Sequence, residues 1–196
     1  MLLGAAPLQA AEWTRYTAKP GSSVEIAGTS TIHDWTITTK LVGGFLELGP
    51  NFPLDPAQGA QPGKVEAKCE TVILVGAIKS GKKAMDEVMY ETMSQKTHPK
   101  ITFKLEEISL KEAPKAGSPL KFDTVGVLNV SGINKTNAME ITMEPKEAGQ
   151  ILVKGATKLK MTDFGMKPPA PTVGLGLIKT GDDVDIKFEW VTAKAE

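Results

Sequence analysis

The chain has 196 residues, with 23 lysines and arginines balanced by 23 aspartates and glutamates. One domain fits that length, and the lack of a basic surplus excludes nucleic acid as an electrostatic partner. Apolar residues make up 41% of the chain, enough for a sizeable core, but no uninterrupted apolar run reaches the roughly eighteen residues of a transmembrane helix.

Residues 1–11 (MLLGAAPLQAA) are uncharged, apolar and rich in small side chains. They resemble the end of a secretory signal closing near Ala10 or Ala11, without its basic start; a loose apolar tail is the other reading. Either way the folded pattern begins at Trp13. The expectation is a single domain over residues 12–196 in a periplasmic or secreted protein.

Val24 and Ile26 open a strand that runs through Gly28 and Ser30 towards Ile32. Trp35, Ile37 and Thr39 continue it past an irregular His33-Asp34. Phe45, Leu46 and Leu48 follow Gly43-Gly44, a bulge or tight bend. The proline- and glycine-rich stretch 49–63 is a loop. In the strand 64–75, Val65, Ala67, Cys69, Thr71, Ile73 and Val75 share one face. The lone cysteine, Cys69, therefore reads as a small buried hydrophobe, and no intrachain disulfide exists.

The stretch 85–103 then changes period. Met85, Val88, Met89 and Met93 recur at helical spacing, giving a helix over about 82–94 with a soft apolar stripe. Pro99 forbids its continuation, and Ile101, Phe103 and Leu105 alternate with Thr102, Lys104 and Glu106. Further strands are expected over 101–110, 122–130, 138–144, 151–161 and, less regularly, 173–179. In the last strand, 184–191, Val184, Ile186, Phe188 and Trp190 oppose Asp185, Lys187 and Glu189. Eight or nine antiparallel strands around one helix describe a sandwich or a barrel.

Catalytic signals are weak. His33 and His98 stand apart from each other and from Cys69, so no set of three or four metal ligands is visible. No Gly-x-Ser-x-Gly elbow occurs, Gly174-Leu175-Gly176 lacks a third glycine and a following helix, and Asp163-Phe164-Gly165 lacks every other kinase element. Methionines at helical spacing serve either as core or as an adaptable wall against hydrocarbon, and the pattern leaves both open.

Four segments carry a family likeness. They are Ser30-Thr31-Ile32-His33-Asp34-Trp35; Met85-Asp86 through Met89-Tyr90 with His98-Pro99-Lys100-Ile101-Thr102-Phe103; residues 126–135, with Leu128, Val130, Gly132 and Lys135; and Asp163-Phe164-Gly165-Met166-Lys167-Pro168-Pro169 followed by Gly181-Asp182-Asp183-Val184-Asp185-Ile186. In this order and spacing the chain resembles the YceI-like family, secreted bacterial polyisoprenoid-binding proteins. Where many members carry a Phe-Phe or Phe-Asp pair, this chain reads Thr92-Met93-Ser94-Gln95.

The resemblance implies an all-β fold: an extended antiparallel, lipocalin-like β-barrel of about eight strands with one short internal helix. Its apolar lumen would hold a long isoprenoid, polyprenyl or quinone-like lipid, with no metal, no other cofactor and no catalytic machinery. On that expectation Phe103, Leu105, Ile141, Met143, Phe188 and Trp190 line the lumen. Met85, Met89 and Met93 form its lid, and Tyr90 and His98 stand near the head group. The rival reading is a structural or stress-related interaction protein with a filled barrel; an enzyme using His33 and Asp34 is a distant third. Monomer and homodimer both stay open.

Overall fold

A computed structural model describes residues 12–55, 59–170 and 178–195. Period-two alternation puts one apolar face on each strand, and the strands curl so that this face is enclosed. Strand β1 (Thr14–Ala18) and β2 (Ser23–Ser30) are two halves of one line, interrupted at Pro20, which has no amide to donate, and Gly21, at φ 103°. Strands β3 (Trp35–Thr39) and β4 (Gly43–Leu48) repeat the device in reverse, β3 pairing with β2 and β4 with β1.

The short β5 (Gly63–Lys64) lies beside the end of β7 (Lys100–Leu110). The main path runs from β4 to β6 (Ala67–Leu74), then to β7, β8 (Leu120–Val130), β9 (Ile133–Lys146), β10 (Gln150–Lys160) and β11 (Thr180–Lys194). All these pairs are antiparallel, and β11 closes the ring on β1 through Tyr16↔Lys194 and Thr17↔Ala193. Counting β1–β2 and β3–β4 as one strand each, eight strands make a closed up-and-down barrel. This is the all-β barrel that the family resemblance implies, and the sandwich, which the strand pattern alone left open, is excluded.

The helix α1 (Lys83–Thr92) sits between β6 and β7. It ends in a Schellman motif: Gln95 N–H bonds the Tyr90 carbonyl, Ser94 N–H bonds that of Glu91, and Ser94 takes the left-handed conformation at φ 53°. Its start is tied down by Asp86, which accepts bonds from Ser80 N at 2.7 Å and Ser80 Oγ at 2.6 Å.

Several boundaries differ from the sequence expectation. Strand β1 goes unpredicted because Tyr16 is its one deeply buried apolar residue. Strand β9 starts at Ile133 rather than 138, because Ser131 (φ 52°) and Gly132 (φ 81°) make a two-residue hairpin turn of the primed type. Strand β11 absorbs Gly181 and Asp182 as an irregularity in its pairing with β2. The strand expected over 173–179 lies largely outside the described residues; Ile178 and Lys179 precede β11 without joining a strand.

The outer face is charged. Lys154–Glu189 (3.0 Å), Lys158–Asp185 (2.6 Å) and Lys160–Asp183 (3.2 Å) bridge β10 to β11, and Lys111, just past β7, pairs over β8 with Glu140 of β9. A barrel apolar inside and charged outside has the opposite polarity to one whose strands face lipid. No helix among the described residues is long and apolar enough to cross a membrane.

Candidate ligand-binding lumen

Inward residues collect in two buried clusters at opposite ends. At the floor, Phe52 stacks on Phe122 with ring centroids 5.2 Å apart, inside a shell that includes Leu46, Leu110, Ile151 and Trp190. Under the helix, Met89, Met93, Val75, Ile78, Val130 and Phe164 form the second cluster. Between them runs a cavity of about 550 Å³.

All six strand residues expected in the lumen, Phe103, Leu105, Ile141, Met143, Phe188 and Trp190, line this cavity, as do Met85, Met89 and Met93 of α1. Every methionine among the described residues lies on its wall, Met139, Met161 and Met166 completing the set. The exposed lining residues Ile32, His33, Lys82 and Lys160 gather between the β2–β3 turn, the start of α1 and the end of β10, which places the mouth there.

Tyr90 and His98 do not line the cavity, which corrects their expected place near a head group. The Tyr90 hydroxyl is spent on backbone: it donates towards the carbonyls of Ile78 (2.9 Å) and Gly76 (3.1 Å) and accepts from Lys79 Nζ. That contact raises the Lys79 pKa. His98 packs its imidazole against Gly132, where a Cβ would stand 2.5 Å from His98 Cε1. Beside it, Ser131 Oγ donates to the Met93 carbonyl at 3.1 Å. Both residues thus brace the helix against the barrel.

Cys69 also faces the cavity. Burial, with the charge of Glu70 as a smaller cause, pushes its thiol up to about 12, so no reactive thiolate is present at neutral pH. His33 lines the mouth, but its Nδ1 lies 2.8 Å from the backbone carbonyl of Asp34, while Ser30 Oγ bonds the His33 carbonyl at 2.7 Å. That is turn chemistry at a strand end. Among the described residues, no three His, Cys, Asp or Glu side chains come together as metal ligands. Two buried polar atoms, Trp190 Nε1 and Asn137 Oδ1, have no hydrogen-bond partner among the described residues, and both residues belong to the cavity wall.

The sequence reading missed part of the wall. Met161, Phe164 and Met166 come from a 3-10 turn (Met161–Phe164) and the residues after it, where the sequence reading ends a strand at 161 and assigns no helical turn. The signal was the apolar spacing of Met161 and Phe164, which puts both on one side of a tight helix. Ser30 and Trp35 also reach the cavity, Trp35 lying over Gly28 with its indole N–H on the Thr29 carbonyl at 3.0 Å.

The same architecture recurs in solved structures. BcnA from Burkholderia cenocepacia aligns with a TM-score of 0.63 at 20% identity, covering 87% of this chain and 95% of that one. A polyisoprenoid binding domain from Saccharophagus degradans, implicated in plant cell wall breakdown, gives 0.68 at 13% identity, covering 92% and 98%. The YCEI protein of Campylobacter jejuni gives 0.56 at 18% identity, covering 82% and 84%. No curated protein matches the sequence. At these identities the structures speak for the fold alone, but the model of the YceI-like domain matches residues 16–192, nearly the entire barrel from β1 to β11. The chain belongs to the YceI-like family.

Proposed function

We propose that this barrel binds one long apolar lipid, of the isoprenoid type, and stores or carries it without chemical change. The observation that supports this most is the hollow itself, about 550 Å³ behind a sealed floor. Folded interiors hold few voids larger than a water, and each methyl-sized gap costs about 1 kcal/mol. A barrel with a purely structural role would fill this space, which disfavours the filled-core alternative. Each methylene taken from water into the lumen contributes about 0.8 kcal/mol, so a long chain binds well without a polar anchor. The Saccharophagus degradans relative in fold is named for polyisoprenoid binding, which agrees with this reading.

A carrier needs no catalytic group, and the imidazole turned to backbone at His33 agrees with that. With the signal-like residues 1–11, the reading is an exported protein, periplasmic or secreted, that shields its cargo from water. The test is organic extraction of natively expressed protein followed by mass spectrometry. A stoichiometric isoprenoid is expected. Empty protein that also fails to take up a fluorescent polyprenyl probe would overturn the proposal.

A further inference from the structure

Besides the Trp35 indole on Gly28, two phenyl rings of the lumen lie against glycines of the neighbouring strand. A Cβ added at Gly126 would stand 2.4 Å from Phe103 Cζ, and one at Gly155 would stand 2.5 Å from Phe188 Cζ. Neither glycine has a positive φ, so the backbone does not call for glycine at either place. Glycine inside a strand weakens it, and its presence marks a close approach. Here what approaches is a phenyl ring that would otherwise project towards the barrel axis. Phe103 is on β7 and Phe188 on β11, four steps apart in a ring of eight strands, so the two rings lie on opposite walls.

We infer that Gly126 and Gly155 set the width of the lumen, and that the width selects a methyl-branched chain over a straight one. This rests on the lipid-binding reading and deepens it, because it names the property of the chain that is recognised. Filling either glycine moves a ring inward from one wall and leaves room only for a thinner ligand. Gly155 gives the cleaner test. Its new Cβ meets the far end of Phe188 and, at 3.1 Å, Ile141 Cγ2, both movable side-chain atoms. At Gly126 the Lys104 carbonyl oxygen, 2.5 Å away, would force the backbone to shift as well.

The probes are phytanol and hexadecanol, alcohols with the same main chain that differ in methyl branches, read by displacement of bound anilinonaphthalene sulfonate. Wild-type protein is expected to prefer phytanol. Gly155→Ala should weaken phytanol about tenfold or more and leave hexadecanol within about twofold, the scale of one methyl group in an apolar pocket. Adding Phe188→Leu to Gly155→Ala should restore phytanol binding. Circular dichroism checks the fold. If Gly155→Ala does not fold, Phe188→Leu alone carries the test by raising the preference for phytanol. Wild-type protein without a phytanol preference, or a Gly155→Ala protein that loses both alcohols equally, overturns the width inference while leaving lipid binding intact. Protein that binds neither alcohol overturns the lipid reading itself.

Discussion

At the floor of the barrel Phe52 and Phe122 stack, and Leu46, Leu110 and Ile151 close round them until almost nothing is exposed. At the other end Met85, Met89, Met93, Met161 and Met166 border a hollow. The floor is built mainly on inward strand residues, whereas these five methionines come from α1, its C-terminal cap, and the 3-10 turn with the residues after it, so the two regions differ in the elements that build them as well as in side-chain type. Aromatic and branched residues, with few rotamers, fill space once and for all. Thioethers on unbranched stems adjust to whatever fills the space beside them. One part of the barrel is packed shut and the other is left hollow.

That separation can be broken by mutation. Phe122→Ala at the floor should cost about 3–5 kcal/mol in urea unfolding, the range for deleting a buried aromatic ring. A loss under about 2 kcal/mol would mean the floor is not the tightly packed region. Met89→Glu under the helix should cost less, about 1–3 kcal/mol, while abolishing uptake of a fluorescent polyprenyl probe and leaving the β circular dichroism signal in place. Unchanged uptake would make the helix a plain core cover. Leu128→Ala, on the cavity wall, should cost about 2 kcal/mol, the low end for such truncations, because one side of that leucine already faces open space.

The anchoring of the helix offers two finer tests. Hydrogen bonds from the Ser80 hydroxyl and amide hold the Asp86 carboxyl below its ordinary 3.8. Folded Asp86 binds a proton less readily than unfolded Asp86. Its stabilisation is therefore complete above the ordinary value and is lost as pH falls through the depressed one. Asp86→Asn should cost about 1–2 kcal/mol at neutral pH, and its gap to wild type should narrow in acid unfolding. An equal gap at every pH would assign the loss to shape. The smallest effect is a gain: Ser94→Gly, at the left-handed C-terminal position of α1, should stabilise by about 1 kcal/mol in thermal melts.

The floor and the hollow were not equally legible. Alternation is a local property, so strands such as β11, with Phe188 and Trp190 against Lys187 and Glu189, could be read directly, and so could the inward set they present. The helix stripe was visible for the same reason. The roles of Tyr90 and His98 were not, because a hydroxyl bonded to the Gly76 and Ile78 carbonyls and a ring laid on Gly132 depend on segments brought together only by closure of the barrel. Nor could any pattern tell a filled barrel from a hollow one. That depends on the space left over when the inner faces meet, as where Phe103 and Phe188 lie back on Gly126 and Gly155.

Strand β11 has a consequence for how the molecule comes into being. It binds β10 along one edge and both β2 and β1 along the other, and of the barrel's strands it is the last to be synthesised. Until it arrives the sheet has two raw edges, and Tyr16 has no Lys194 to pair with. So separated a pairing makes closure slow, and during that interval the methionine-lined interior is open to water and to other chains. A long apolar molecule that entered then would be wrapped by the closing barrel and would not need the mouth.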